Sequence, residues 1–105
     1  MALIAVCDID EVPNGQALCK RLPDGSQVAV VRLSDPPGKV VAFENRCPHY
    51  GAPLGRGKIK GRIVVCPWHF FRFDLTTGAA ADMESVMHLR TYATLIHERQ
   101  VFIDI

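Results

Sequence analysis

Two short stretches of this chain each place a cysteine close to a histidine. The first, CPH, contains Cys47 and His49, and the second, CPWH, contains Cys66 and His69. Thiolates and imidazoles are common ligands of transition metals. Because neither pair has the i, i+4 spacing of a helix, the side chains must project from loops, which the proline after each cysteine stiffens. Two such loops facing each other would gather four ligands around one centre.

Two kinds of metal centre are compatible with these four side chains. Two cysteines and two histidines would satisfy one tetrahedral zinc ion. Structural zinc sites, however, usually have CxxC and HxxxH pairs in which like ligands are neighbours, whereas each loop here supplies one ligand of each kind. A centre of two metals, one bound by both thiolates and the other by both imidazoles, fits this mixed arrangement, and the Rieske [2Fe-2S] cluster has that ligand set.

The residues around the two loops resemble the Rieske ferredoxin family. GAPLG follows the first histidine and FRFDLTTG follows the second, and together with the CxH and CxxH spacing they match that family over residues 40–80. The resemblance implies one Rieske-type [2Fe-2S] cluster as the cofactor. It implies that Cys47 and Cys66 bind the inner iron and that His49 and His69 bind the outer iron, nearer the surface. No catalytic residue is predicted.

The same resemblance predicts a low reduction potential. Respiratory Rieske proteins have a further cysteine in each loop and two hydroxyl donors to the cluster sulfurs. The matching residues here are Ala52 and Trp68 for the cysteines, and Phe71 and Phe73 for the hydroxyl donors. Hydrogen bonds to sulfur stabilise the more negative, reduced cluster. Their absence therefore predicts a potential toward the lower end of the Rieske range of roughly −150 to +300 mV.

Two features depart from the family pattern. Phe70 stands where the family usually has glycine directly after the second cluster histidine, so its backbone either takes an ordinary φ or is strained. A proline-rich third loop normally covers the cluster, yet GAAADMESVMHLRTY contains no proline. Either Met83, Met87 or neighbouring residues cover the site instead, or the cluster is more open than usual.

The elements that must hold these loops are predicted to be β-strands. QVAVVRL and KVVAFEN are rich in β-branched residues, and PNG, PDG and PPG supply turns between apolar runs. LRTYATLIHERQVFIDI predicts two strands joined around HERQ, and only AADMESVMHLRTY allows a single helical turn. The prediction is an all-β Rieske fold in one domain, residues 1–105. It has an antiparallel β-sandwich base and a two-loop cluster-binding subdomain at residues 45–75.

Four cations alternate with small or apolar residues just after the first loop. One strand would place Arg56, Lys58, Lys60 and Arg62 on a single face, which is either a solvated surface or a docking surface for an acidic partner. The glycines of the first loop, Gly51, Gly55 and Gly57, are expected to let it turn sharply.

Composition narrows the class of protein. A hydrophobic content of 49% supports one core, and a net charge of +1 gives no nucleic-acid footprint. MALIAVCDIDE predicts a first strand rather than a signal peptide, and no apolar run approaches the roughly 20 residues that span a bilayer, so we expect a soluble, cytoplasmic protein. Other residues are expected to be structural: Cys7 and Cys19 as buried thiols, His88 and His97 as surface or strand residues, and Trp68 and Phe73 as packing.

The leading functional hypothesis is an electron carrier that is not itself an enzyme. The resemblance implies a ferredoxin that passes single electrons from a flavin-dependent ferredoxin reductase to the terminal oxygenase of a system that hydroxylates aromatic rings. Neither nucleic acid nor membrane is expected as a partner. Two alternatives stay open, namely the small Rieske-like subunit of an assimilatory nitrite reductase and a zinc-stabilised binding module with no redox role.

Overall fold

The computed structural model describes residues 2–48, 51–68, 70–81 and 87–105. Its strands are β1 (Leu3–Asp8), β2 (Leu18–Arg21), β3 (Gln27–Ser34), β4 (Pro37–Glu44), β5 (Ile59–Lys60), β6 (Ile63–Val65), β7 (Arg72–Asp74), β8 (Thr91–Tyr92), β9 (Thr94–His97) and β10 (Gln100–Asp104). Short 3-10 helices cover Ile9–Glu11 and Leu54–Arg56.

The strands form three antiparallel sheets, which confirms the all-β prediction. Two sheets, with strand orders β1-β10-β9 and β2-β3-β4-β8, make the base. In the small sheet β5-β6-β7, the first two strands lie between the two cysteine loops in the chain and β7 follows the second loop. No α-helix occurs among the described residues, and none of their helices has the length and apolar character needed to cross a membrane. The helical turn allowed in AADMESVMHLRTY lies largely at residues 82–86, outside the described residues.

The hairpin of β3 and β4 separates two hydrophobic cores. Because neighbouring residues on a strand point to opposite faces, Val28 and Val30 join one core while Ala29 and Val31 join the other. The base core consists of Val12, Leu22, Val28, Val30, Val40, Ala42, Tyr92, Val101 and Ile103. The site core consists of Ala29, Val31, Leu33, Val41, Phe43, Cys47, Ala52, Leu54, Val64, Cys66, Phe73, Leu75 and Leu89. The near-continuous run of apolar residues in β3 follows from burial on both faces.

The FRFDLTTG motif fastens the small sheet together. The backbone N–H and hydroxyl of Thr76 both donate to Oδ1 of Asp74, at 2.8 and 2.6 Å, and Nε of Arg62 lies 3.0 Å from Oδ2. Gly78 closes the turn with a φ of +83°, and its N–H donates to the carbonyl oxygen of Asp74. A side chain at Gly78 would lie 2.3 Å from the carbonyl oxygen of Leu89, so this glycine is required by close approach as well as by φ.

The prediction of one strand carrying all four cations is wrong. Leu54–Arg56 is a 3-10 helix, β5 contains only Ile59–Lys60, and the chain reverses at residues 61–62 before β6. Gly61 permits the reversal with a φ of +63°. The four cations are exposed nonetheless, and Arg62 is bound to Asp74 while the other three are not in salt bridges within the described part of the chain.

The two cysteines outside the loops are less buried than expected. Cys19 is exposed and Cys7 is half-buried, so the prediction that both are buried is wrong for Cys19. Burial nevertheless raises the pKa of both thiols above the ordinary value. His88 and His97 are exposed, as predicted.

Replacing Asp74 by asparagine should weaken the small sheet. Burial raises the pKa of Asp74, but hydrogen bonds from Thr76 and the nearby Arg62 outweigh it, so the pKa lies below its usual value. The carboxylate thus stabilises the fold above the unfolded-state pKa of about 4, and this contribution is lost as the pH falls through the lower, folded pKa. We expect Asp74→Asn to lower the free energy of unfolding by about 1 kcal/mol at pH 7.

Urea unfolding of both proteins between pH 7 and pH 3 would test this pH dependence. The difference in unfolding free energy should stay constant above about pH 4 and shrink below it. Asp24→Asn is a matched control, because Asp24 accepts the same pair of bonds from Ser26 in an exposed turn and forms no salt bridge with any described residue, Arg90 acting on it only from a distance. A difference that persisted unchanged at pH 3 would contradict the assignment.

Candidate metal centre

The first cysteine loop closes on itself through two backbone hydrogen bonds. Cys47 follows β4, and its N–H donates to the carbonyl oxygen of Ala52 at 2.8 Å. The N–H of Gly51 donates back to the carbonyl oxygen of Cys47, also at 2.8 Å. Gly51 has a φ of +76°, the left-handed conformation that glycine adopts without strain.

The second loop repeats the same bonding plan. Cys66 follows β6, its N–H donates to the carbonyl oxygen of Phe71 at 2.7 Å, and the N–H of Phe70 donates to the carbonyl oxygen of Cys66 at 3.0 Å. The described residues of 47–52 and 66–71 therefore share one hydrogen-bond plan, with the cysteine first and a left-handed residue fifth. Sequence reasoning did not find this equivalence, because CPH and CPWH space their histidines differently.

Phe70 occupies the left-handed position that Gly51 occupies in the first loop. Its φ of +61° decides between the two alternatives left by the sequence, since a bulky residue at positive φ is strained by about 1–2 kcal/mol. The other non-glycine residues with positive φ in the described chain, Glu98 and Arg99, form the turn between β9 and β10. Phe70 is thus a strained residue within a cysteine loop.

Both loop cysteines are buried in the same core. Cys47 and Cys66 are each 1% exposed, belong to the site core and form no disulfide. The structure therefore brings together the two predicted thiol ligands, shielded from water. His49 and His69, the predicted imidazole ligands, lie outside the described residues. Within the described part of the chain, no group of three or more Cys, His, Asp or Glu side chains is arranged to hold a metal.

The donor set of the described loops fits an iron–sulfur cluster. Thiolates are soft ligands that suit such clusters, and two of them are presented here at equivalent loop positions. A disulfide between the loops would have removed both ligands, and none is present. The apolar neighbours Leu54 and Phe73, both fully buried, exclude water from this side of the site.

Asn45 anchors the first loop to the base, and sequence reasoning missed it. Its side-chain Oδ1 accepts the N–H of Gly55 at 2.6 Å, and its Nδ2 donates to Oε1 of Gln27 at 3.1 Å. Its own backbone N–H donates to the carbonyl oxygen of Gln27. Asn45 therefore ties both ends of the loop to β3. A polar residue at a strand end two positions before the cysteine was the available signal.

Two of the three glycines expected to permit sharp turns are needed for a different reason, because neighbouring atoms leave no room for a side chain. Gly57 has a φ of −70°, which any residue can adopt, but a side chain there would lie 1.9 Å from the carbonyl oxygen of Val65. A side chain at Gly55 would lie 2.7 Å from Sγ of Cys19. Val65 directly precedes Cys66. The close packing of Gly57 on the Val65 carbonyl therefore places the residues after the first loop next to the start of the second loop.

The large apolar side chains of the two loops divide into exposed and buried ones. Phe70 is 73% exposed and Trp68 is 56% exposed, so the prediction that Trp68 packs internally is wrong, whereas Phe73 is fully buried as predicted. Leu54 is fully buried and belongs to the loop packing, and Tyr50 lies outside the described residues. Met87 is half-buried against the site core, while Met83 lies outside the described residues.

Comparison with known proteins connects the loops to a family. A model of the Rieske [2Fe-2S] domain matches residues 2–93 of this chain. The ferredoxin component of the p-cumate 2,3-dioxygenase system of Pseudomonas putida is 34% identical over 104 residues, which cover 98% of this chain and 86% of the relative.

Solved structures share the whole fold. Sphingomonas yanoikuyae B1 ferredoxin superposes with a TM-score of 0.88 at 29% identity, over 99% of both chains. A Mycobacterium tuberculosis protein described as an NADH-dependent nitrite reductase small subunit superposes with a TM-score of 0.83 at 30% identity. That alignment covers 97% of this chain and 93% of the other.

Substituting Gly57 should separate the two loops. A methyl group at Gly57 would overlap the Val65 carbonyl, and overpacking of this kind costs about 1–3 kcal/mol. Gly15→Ala is the control, because Gly15 has a φ of +71° but open space around it, so that variant carries backbone strain without a clash. We expect Gly57→Ala to lower the thermal unfolding temperature more than Gly15→Ala does. Equal temperatures for the two variants would show that the loops do not depend on this contact.

Proposed function

Because this chain belongs to the Rieske [2Fe-2S] domain family, we propose that it is a ferredoxin, a one-electron carrier protein. The observation that carries this proposal is the pair of equivalent loops, each with its cysteine buried in the site core. In the proposed arrangement, Cys47 and Cys66 bind one iron of a [2Fe-2S] cluster, and His49 and His69 bind the other. When bound, such a cluster accepts one electron and returns it.

The described residues around the proposed cluster site exclude water from it and provide few side-chain hydrogen-bond donors to it. The site core keeps water away from the thiolates, and the hydrogen bonds within each loop orient the two cysteine backbones. Residues 47–52 and 66–71 hold Ala52 and Phe71 at the end of each loop, and neither side chain can donate a hydrogen bond. The buried ring of Phe73 likewise has no hydroxyl. These features support the ferredoxin class over the respiratory class.

We assign the electron route by likeness to the relatives. The p-cumate relative is the ferredoxin component of a dioxygenase system. By analogy, this protein takes electrons from a flavin-dependent ferredoxin reductase and delivers them to a terminal ring-hydroxylating oxygenase, in the cytoplasm and without catalysing the oxygenation itself. Its docking contacts are transient and small.

One alternative has specific support. The likeness to the nitrite reductase small subunit, at 30% identity, favours a role as the Rieske-like subunit of an assimilatory nitrite reductase. Reduction of a purified terminal oxygenase by the protein would support the ferredoxin, whereas stable association with a sirohaem reductase would support the alternative. If the protein is instead a zinc-stabilised binding module, metal analysis should find one zinc ion and no acid-labile sulfide.

Removing any proposed ligand should abolish the cluster. Each variant should lose the visible charge-transfer absorption, the iron and the acid-labile sulfide of the purified protein; the variants are Cys47→Ser, His49→Ala, Cys66→Ser and His69→Ala. Matched controls change the same residue types elsewhere and should keep the cluster; they are Cys7→Ser, Cys19→Ser, His88→Gln and His97→Gln. Electron paramagnetic resonance of the dithionite-reduced wild type should give an average g below that of an all-cysteine cluster. A ligand variant with unchanged spectra would remove that residue from the site.

The reduction potential should lie in the lower half of the range of roughly −150 to +300 mV. Phe71→Ser places a hydroxyl where the respiratory class has one, and Phe71→Ala removes the same ring without adding a donor. A hydrogen bond worth about 1 kcal/mol corresponds to roughly 40 mV for a one-electron couple. We expect the serine variant to have a midpoint higher than the alanine variant by about that amount in a redox titration. A wild-type midpoint well into the positive range would refute the assignment to the low-potential class.

A further inference from the structure

We propose that the face formed by residues 56–60, 66–68 and 70 is the docking surface for an acidic redox protein, with Phe70 as its central apolar contact. This inference rests on the proposed function and adds to it the side of approach and the chemistry of the partner.

The first argument is the combination of strain and exposure at Phe70. Gly51 shows that glycine fits the equivalent backbone position with no strain, yet the second loop has a phenylalanine there. Its side chain is 73% exposed, the highest value among the exposed large hydrophobic residues of the described chain, so burial within the protein does little to offset the strain. Stability therefore does not explain this residue. Strained residues that persist against stability cluster at functional sites.

The second argument is the cleft beside the ring. Phe70 forms one wall of a cavity of about 440 Å³, and the remaining lining residues are Arg56, Gly57, Lys58, Val65, Cys66 and Pro67. Most of this lining is apolar, and its floor includes a cysteine of the proposed cluster site. An apolar group from a partner that entered this cleft would lie next to a cluster ligand.

The third argument is charge. Arg56 and Lys58 also line an adjoining cavity of about 650 Å³ that includes Lys60. No acidic residue lines either cavity, and these three exposed cations have no salt-bridge partner among the described residues. Because the net charge of the whole chain is only +1, these three cations produce a local positive field and not a general one over the surface. Such a local field steers an acidic partner toward the cleft.

An acidic protein fits these features better than nucleic acid does. A nucleic-acid footprint needs a broad basic stripe, and here three cations border a cleft whose lining is largely apolar. An apolar centre with a charged rim is the arrangement of protein interfaces.

Two electron acceptors can separate the contributions of charge and ring in the holoprotein. Hexacyanoferrate(III) is a hydrophilic anion, and 2,6-dichlorophenolindophenol is an aromatic anion at neutral pH, so only the dye offers an apolar body to the cleft. Oxidation of the dithionite-reduced protein is followed by stopped flow at low ionic strength. The triple variant Arg56→Glu, Lys58→Glu, Lys60→Glu should slow both acceptors by about tenfold or more, and this loss should vanish at high salt. Lys39→Glu, an exposed cation outside this face, is the matched single-charge control for Lys58→Glu.

The Phe70 variants separate the ring from the backbone. Phe70→Ala keeps the strained position without the ring, Phe70→Gly removes both strain and ring, and Phe70→Tyr keeps the ring. The alanine and glycine variants should lose several-fold in rate with the dye but not with hexacyanoferrate, and the tyrosine variant should match the wild type. Phe70→Gly should also unfold at a higher temperature than Phe70→Ala, so the slower rate cannot come from lost stability.

The outcomes distinguish this inference from the proposed function. A cluster-loaded protein whose rates are unaffected by the triple variant, or equally affected by Lys58→Glu and Lys39→Glu, would overturn the docking surface and leave the ferredoxin assignment intact. Tight, salt-sensitive binding of a DNA oligonucleotide to this face would overturn it in favour of nucleic acid. Purified protein with no iron and no acid-labile sulfide would refute the proposed function itself.

Discussion

The burial of two cysteines in one apolar core is the constraint on which the rest of the structure depends. Cys47 and Cys66 arrive from different strands, β4 and β6, and both must reach the site core. The hairpin of β3 and β4 makes this possible because its alternate residues supply two cores, one closed by β10 and one open to the loops. One face of this hairpin therefore packs in the base core while the other face packs against the two cysteine loops.

The two loops bury their cysteines with the same pattern of backbone hydrogen bonds. Each cysteine donates its N–H to the carbonyl oxygen of the residue five positions later, and its carbonyl oxygen accepts the N–H of the left-handed residue four positions later. The contact of Gly57 with the Val65 carbonyl then sets the spacing between the loops, and Asn45 ties the first loop to β3. The two cysteine loops are thus held by backbone groups and one amide side chain.

Much of this organisation could be predicted from the sequence because its signals are local. The β-branched runs predicted β3 and β4, and HERQ predicted the turn between β9 and β10. The two loop cysteines share one core, while the four-ligand site remains a prediction because His49 and His69 lie outside the described residues. The single strand through residues 55–66 was wrong because exposure alternates across β5, the turn and β6 just as it would along one strand. The roles of Asn45, Gly55 and Gly57 could not be predicted from the sequence, since their contacts with Gln27, Cys19 and the Val65 carbonyl form only in the tertiary fold.

Equivalent backbones with different side chains give the site two unlike sides. Gly51 and Ala52 in the first loop correspond to Phe70 and Phe71 in the second, so the first loop is small at the positions where the second is aromatic. The second loop also carries the exposed Trp68 and borders the cations of residues 56–60. The shared backbone pattern alone would give the two loops similar surfaces. Any preference of a partner for one loop must therefore come from these side chains. Gly51 shows that this backbone conformation forms without an aromatic ring, so the proposed docking surface attributes the strain at Phe70 to a partner rather than to folding.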